Sequence, residues 1–594
     1  MERIICIDFE TEAIQERPHH PPVPVGVAIG GLGELPTYLA WGHPTGNNCT
    51  RGQAEAALLR VITPGVSVLC HNSKFDLDVL ETHFSIPMPD WQNTHDTLFQ
   101  LFLTDPHALS LGLKESAERL LGEKPTERDA VRDWLVEHKV ITSAQRPGAF
   151  ISKAPGDVVA PYACGDVSRT LRLHALLYPR IQAAGMQAAY DRERRLMPCL
   201  LDNERRGIRV DVDTLARDIE EARKRLILCD ALLRHMLSTP TLNVDADQDL
   251  ARALRSSGVV TRFAQTETGK DSISKKTLTQ DRFRDPEVFK LLNYRNMLQT
   301  LLSQSMEPWL DQACRNRGRI STEWNQVRQS HGDDNRGTRT GRLSASRVQN
   351  INKRMPKPED LPTGFPPLPR VRRYLLPDEG HRWLHRDYRQ QEWFVTAHMA
   401  SGQLAQMYTA NPEMDQHDMV VARVAQLGIT ITREQAKVVG FGLLYGMGSS
   451  KLGDTLGVSQ VKARSFTDAL RAAMPDVNAL DREAKRRFQN GQTIRTWGGR
   501  VYSCEPAKEN RTFEYKALNV LVQGSSADIT KEAVCRYWES GSRRGRLLST
   551  VHDEINVSGP PEELEVLREA MEGVPLDVPL QSSPKTGPNW GELK

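Results

Sequence analysis

The sequence predicts a multidomain α/β protein, on three observations. Up to about residue 190, short apolar runs ("IICID", "VGVAIGG", "VSVLC") alternate with helical stretches such as "SLGLKESAERLL", the pattern of a mixed α/β layer with acids at its strand ends. From about 190 to 310, "DRERRLMPCLLDNERRGIRV" and "DVDTLARDIEEARKRLILCDALLRHML" carry apolar residues at spacings of three and four on long charged helices, which reads as an arm. From about 403 to 540 the chain is largely helical, and a strand pair follows at 547 to 559. With 594 residues it exceeds what one core can organise, roughly 250 to 300 residues, so three or four modules are expected.

The segments between these blocks are legible too. "HGDDNRGTRTGRLSASRVQNINKR" (331 to 354) is rich in Gly, Arg and Ser, and "MPKPEDLPTGFPPLP" (355 to 369) reads as an irregular, exposed, Pro-rich loop. "HRWLHRDYRQQEWFVTAHMA" then passes from a strand into a helix. In "LLSTVHDEINVSG" two runs of strand formers flank His552, Asp553 and Glu554, a β-hairpin whose tight turn lifts the acids out of the sheet. No internal repeat is visible.

Lys plus Arg number 78 against 75 Asp plus Glu, a net charge of +3, so bulk charge alone indicates no nucleic-acid partner. Most basic clusters ("RVRRYLL", "EAKRRF", "GSRRGR") read as solvated faces, whereas the acids concentrate in short motifs. The nine scattered cysteines include no CxxC pair, which argues against a zinc site or a disulfide framework and fits a reducing cytosol. The opening "MERIICIDFE" is already a buried-strand pattern, so no signal or transit peptide is expected. No apolar run of about 18 residues suggests a membrane span. A cytoplasmic protein is the expectation.

In "IDFETE", Asp8 and Glu10 share one strand face by period-2 geometry. "HNSKFDLDVL" adds Asp76 just after a strand, and "PYACGDVSRT" adds Asp166 with Tyr162 four residues before it, on one face if helical. Four converging carboxylates could surround two divalent cations, the arrangement that activates water and stabilises the leaving oxygen in phosphoryl displacement. The ordered set resembles the three motifs of DEDD-type 3′–5′ proofreading exonucleases, a ribonuclease H-like fold, in the subclass with Tyr in the third motif. The resemblance implies that Asp8, Glu10, Asp76 and Asp166 hold the metals and that Tyr162 orients the attacking water.

The hairpin acids need a partner, and "LHRDYRQQEWF" supplies Asp387 where a strand passes into a helix. Asp387 and Asp553 would bridge two Mg²⁺ ions. "TREQAKVVGFGLLYG" sets Arg433, Lys437, Phe441 and Tyr445 at four-residue steps, a slowly winding stripe on one helix. Thr432 and Gln435 form a capping box ahead of it, which leaves Arg433 and Lys437 in the opening turns, where an anion is favoured. The three stretches resemble motifs A, B and C of family A DNA polymerases, the bacterial DNA polymerase I type. The likeness extends to "TRTGRLSASRVQNI", "RTWGGRVY" and "YKALNVLVQGSSADI", and "GPNWGELK" looks like endings of phage members.

By that resemblance, residues 1–190 are a ribonuclease H-like exonuclease domain followed by a right hand: thumb (191–330), palm (331–402, with the loop 355–369), fingers and template-contacting helices (403–540), and the second part of the palm with the catalytic hairpin (541–594). Asp387, Asp553, Glu554 and Lys437 are then catalytic; Arg433, Lys437, Phe441, Tyr445, Glu392 and Tyr388 meet the deoxynucleoside triphosphate, with Glu392 excluding a ribose 2′-hydroxyl. Arg342, Gln349, Asn350, Asn519, Gln523 and His552 match positions on the primer–template DNA. Two Mg²⁺ ions per site are implied, with Mn²⁺ as substitute. The resemblance is least close in motif A, where Arg389, Gln391, Trp393 and Phe394 are unusual, and at Tyr515, where relatives often carry Arg. No fused 5′-nuclease and no thioredoxin-type clamp insertion are expected, and a helicase, primase or single-strand-binding protein would be further partners. The implied activity is a phage replicative DNA polymerase with proofreading. The alternative is a DEDD exonuclease whose C-terminal part only binds primer–template.

Overall fold

The structure, a computed structural model, describes residues 3–124, 126–266, 268–274, 276–331, 334–349, 351, 355–426, 428–509 and 511–594. They form two compact units: Met1–Arg206 with Thr322–Gln349 and Leu384–Lys585, and Gly207–Ser321 with Asn350–Trp383 and Thr586–Lys594.

The first unit opens on a five-stranded mixed sheet in the order β3-β2-β1-β4-β5, built from β1 (Arg3–Thr11), β2 (Pro24–Gly31), β3 (Thr37–Ala40), β4 (Val66–Cys70) and β5 (Thr94–Asp96). β1 is central, antiparallel to β2 and parallel to β4. Its alternation decides where the acids go. Ile5, Ile7 and Phe9 enter one core, beside Leu77 and Phe84 of α1 (Ser73–Phe84). Cys6 enters the other, with Ala163 and Val167 of the helix α3 (Gly156–Ala183), reached after α2 (Leu113–Leu121). Asp8 and Glu10 continue the Cys6 side, the side that α3 covers.

The next helix, α4 (Gln187–Arg206), belongs to this unit, so the compact units divide the chain at Arg206, beyond the 190 boundary expected for the arm. Tyr190, Met197 and Leu201 of α4 lie in the same core as Ile5, Ile7 and Phe9, and buried charge adds to the attachment. Glu193 pairs with Lys531 at 2.6 Å, both 1% exposed, and Arg192 pairs with Glu532 at 3.0 Å, across to α10 (Ala517–Glu539).

The second sheet carries the hairpin. β9 (Arg382–Tyr388), β10 (Arg546–Val551), β11 (Glu554–Gly559) and β12 (Ser582–Gly587) lie in the order β10-β11-β9-β12. Val551 pairs with Glu554, leaving a two-residue turn at His552 and Asp553. His552 has φ +59°, the positive value that two-residue hairpin turns require to match strand twist. The same unit includes the helices α7 (Gln391–Ala400), α8 (Gln416–Ala425), α9 (Arg433–Leu444) and α11 (Glu563–Glu572).

In the second unit, β6 (Ile208–Val210), β7 (Arg319–Ile320) and β8 (Leu375–Leu376) form a small sheet in the order β8-β6-β7, and the helices α5 (Val212–Met236) and α6 (Pro286–Leu301) pack together. The Pro-rich loop is irregular, as expected, but not loose. Phe365 meets Tyr294 of α6 edge-on at 5.1 Å, and Leu368 is buried. All nine cysteines are free thiols. No helix among the described residues is long and apolar enough to cross a membrane.

Candidate active sites

Two groups of acids form. In the first, β1 supplies Asp8 and Glu10 and α3 supplies Asp166, with one oxygen from each lying within 4.8 Å of the others. Tyr162 lies one turn before Asp166 on α3, as the four-residue spacing predicts. Asp76 is 2% exposed, and its Oδ1 accepts the Phe9 N–H at 3.0 Å, which fastens α1 to β1. Burial, then the neighbouring Asp166, pushes the Asp8 carboxyl up to about 7. Burial and the surrounding acids also hold Glu10 and Asp76 well above the ordinary carboxylate range. Carboxylates this dry and close ionise together only against a cation, and an all-oxygen donor set suits a hard divalent ion. The chain adds cations of its own. Lys114 Nζ is 2.5 Å from Asp166 Oδ2, and Arg169 is 3.1 Å from Oδ1. Neither stood out in the sequence, where Lys114 belonged to an amphipathic helical stretch.

In the second group, His385 and Asp387 alternate on β9 and Glu554 opens the adjacent strand β11, and one ligand atom of each lies within 4.8 Å of the others. Of the hairpin acids, Glu554 joins Asp387 and His385 in this group, and Asp553 stands beside it at the turn. Because the turn holds only His552 and Asp553, Glu554 is already back in the sheet beside β9. Asp553 is docked by its backbone, its carbonyl accepting the Tyr388 N–H at 3.2 Å. Burial pushes its carboxyl up to about 6, against the pull of Arg342. His385, 3% exposed with Nδ1 3.1 Å from Asn556 Oδ1, was missed in the sequence. The signal was there, since it stands two residues before Asp387 on a strand.

The helical stripe is present. Thr432 Oγ1 accepts the Gln435 N–H at 3.1 Å, and the Gln435 side chain accepts the Thr432 N–H at 3.0 Å, closing the capping box. Phe441 and Tyr445 stack at 5.7 Å with ring planes 7° apart. Lys437 is exposed. Arg433 is exposed as well, but it is paired with Asp415 at 2.7 Å and Asp418 at 3.2 Å, at the start of α8.

Glu392 joins the stripe to Arg342 of the Gly-, Arg- and Ser-rich segment. Its Oε1 accepts from Arg342 at 2.6 Å and its Oε2 accepts from the Tyr445 hydroxyl at 2.8 Å. Gln523 also bonds Tyr445, and Asn519 lies one turn before Gln523 on α10. His552 is in the field of Arg342; partial desolvation and that charge hold its ring below the usual histidine range. Gln349 is spent on the hairpin, its amide donating to the Thr550 carbonyl at 3.0 Å. Tyr388, expected at the nucleotide, is buried instead, its hydroxyl donating to the Met571 carbonyl at 2.7 Å. Asn350 lies outside the described residues.

The family model described as DNA polymerase family A matches residues 213–592, well over half of the chain. The chain belongs to DNA polymerase family A. It is 28% identical to DNA polymerase I of Chloroflexus aurantiacus, covering 98% of this chain and 61% of that protein. It is 26% identical to DNA polymerase DpoZ of Acinetobacter phage SH-Ab 15497, covering 88% of each. The chain thus spans about three fifths of the length of the Chloroflexus relative. A solved structure described as the POL domain of Pol1 from M. smegmatis in complex with DNA primer-template and dNTP matches with TM-score 0.77 at 20% identity, over 99% of this chain and 96% of that one. That likeness establishes the palm, fingers and thumb fold.

Three of the unusual residues of motif A have a packing role in this family A chain. Trp393 and Phe394 are fully buried, and a Cβ at Gly440 of α9 would lie 3.0 Å from the Trp393 ring, so the large and small residues are matched. The Gln391 amide donates to Thr530 Oγ1 at 3.1 Å, fastening α7 to α10. Arg389 pairs with Glu413, and its N–H donates to the Gln581 carbonyl at 2.9 Å.

Proposed function

We propose that this chain is a template-directed DNA polymerase with a 3′–5′ proofreading exonuclease, acting as the replicative enzyme of a bacteriophage. The observation that carries the synthetic half is the meeting of Asp387, Glu554 and His385 at a hairpin whose turn shares the field of Arg342 and Glu392. The phage relative, matched over 88% of both chains, supports the setting.

Asp387 and Glu554, with Asp553 at the turn, would hold the divalent ions, two Mg²⁺ or Mn²⁺ in their place, which supply Lewis acidity at the primer hydroxyl and offset the triphosphate charge. Lys437 and Arg433 bind the triphosphate, and Arg433 exchanges Asp415 and Asp418 for phosphate oxygens as it does so. Phe441 offers a face to the base. Glu392, fixed from two sides, closes the space a 2′-hydroxyl would need. Arg342, Gln523, Asn519 and His552 present donors to the N3 and O2 acceptors found on every base pair, which checks shape without reading sequence. In the other site Asp8, Glu10, Asp76 and Asp166 hold the ions and Tyr162 orients the attacking water. The raised carboxyls of Asp8, Glu10 and Asp76 support that reading.

The test is a labelled primer–template incubated with Mg²⁺, with and without deoxynucleotides. Extension with them and shortening without them is the expected result. Shortening in both would leave only the degradative half.

A further inference from the structure

The exonuclease carboxylates have a neighbour that the proposed reaction does not use. Lys114, the second residue of α2, has a side chain 13% exposed, with Nζ 2.5 Å from Asp166 Oδ2 and 4.1 Å from the centre of the Tyr162 ring. It therefore touches both a candidate metal ligand and the candidate water-orienting tyrosine. Among the described residues, Asp8 and Glu10 from β1 feel this ammonium, and Arg169 from α3 keeps its own contact with Asp166 at 3.1 Å.

Lys114 and Tyr162 also line a cavity of about 700 Å³ beside the acids, together with Arg132, Arg146 and Gln145. Two features of this arrangement matter. An ammonium and a divalent cation compete for the same carboxylate oxygen, because each needs it at contact distance. And a lysine on a four-carbon stem can leave one anion for another without moving its helix. The cavity wall carries three cationic side chains, Lys114, Arg132 and Arg146, against one acid, Glu115, an excess of positive charge that suits a phosphate.

We propose that Lys114 is a positioning residue of the exonuclease site: its ammonium holds Asp166 while no divalent cation is bound, yields that oxygen when one arrives, and then turns to the adjoining cavity to hold a phosphate of a single-stranded DNA 3′ end. The inference rests on the exonuclease reading of this site. A purely structural ion pair between α2 and α3 would show neither the competition nor the phosphate contact.

The experiment uses the full chain with Asp387→Asn, Asp553→Asn and Glu554→Gln, so that Mn²⁺ binding followed by electron paramagnetic resonance reports the exonuclease acids. Lys114→Met in that background should bind Mn²⁺ about tenfold more tightly, and Lys114→Arg should bind like the parent. With Ca²⁺ present, a fluorescent single-stranded oligonucleotide with phosphorothioate linkages at its 3′ end should bind Lys114→Met about tenfold more weakly, with Lys114→Arg again restoring it. Circular dichroism melting checks that each variant is folded, and Lys114→Gln replaces Lys114→Met should the latter fail. Mn²⁺ affinity that is unchanged or weaker in Lys114→Met overturns the inference, as does unchanged oligonucleotide affinity. The exonuclease reading has its own readout, shortening of a labelled strand by the unmodified protein in Mg²⁺. Its failure is distinguishable from failure of the inference, because the Mn²⁺ titration contains no DNA.

Discussion

Replacing Glu392 by Ala removes two contacts at once. Arg342 loses a carboxylate at 2.6 Å and the Tyr445 hydroxyl loses one at 2.8 Å, around a side chain only 13% exposed. Charge-assisted hydrogen bonds of this kind contribute about 1.5 to 3 kcal/mol each. Only the bond to the Tyr445 hydroxyl positions that ring, so on the order of 2 kcal/mol no longer holds Tyr445 in place. That corresponds to roughly thirtyfold in a ratio of rate constants. The preference for deoxynucleotides over ribonucleotides, measured as the ratio of kcat/KM in single-nucleotide primer extension, should therefore fall by roughly thirtyfold. Glu392→Gln keeps the volume and one acceptor and should fall less. An Ala variant with the parent's melting temperature and an undiminished ratio would refute the assignment of Glu392 as the group that excludes the 2′-hydroxyl.

The acid cluster of Asp8, Glu10 and Asp166 makes metal-free stability depend on pH. Asp8 titrates near 7 in the fold and near 4 when unfolded, so its contribution is full below about pH 4 and is lost as pH rises through about 7. In chelator, the melting temperature should drop between pH 5 and pH 8, and Mg²⁺ should restore it at pH 8; a rise over that interval would count against the cluster. Breaking the buried pair of Glu193 and Lys531 with Lys531→Met should cost about 3 to 5 kcal/mol in urea unfolding, with part of the loss recovered by adding Glu193→Gln. A cost under about 1 kcal/mol would mean that the pair is solvated. Phe441→Tyr should raise dideoxynucleotide incorporation in a chain-termination assay, and unchanged termination would remove Phe441 from sugar discrimination.

Features that depend on local periodicity were legible in the sequence. The two-residue period of β1 set Asp8 and Glu10 on one side, the four-residue spacing of α3 set Tyr162 with Asp166, and the Thr432–Gln435 box marked the start of α9. The hairpin was legible as well. Which of its acids already lies in the strand beside Asp387 was not, because that turns on whether the loop holds two residues or three; with two, Glu554 is in the strand and Asp553 stays at the turn. His385 needed only the alternation already applied to Asp8 and Glu10. Long-range pairings were out of reach. Glu193 and Lys531 are 338 residues apart, and their contact ties α4 to α10. Arg433 looked available for an anion because Asp415 and Asp418 precede it by a full helix, which the sequence alone does not fold back. Lys114 was hidden by its setting, one charge among several in an ordinary amphipathic pattern.

The most direct measurement is anomalous diffraction from crystals of the protein grown with primer–template and soaked in Mn²⁺ with a non-hydrolysable deoxynucleotide. Manganese peaks within coordination distance of Asp387 and an acid of the 552–554 turn region are the result this account predicts. Peaks confined to Asp8, Glu10 and Asp166, with none at Asp387, would contradict it.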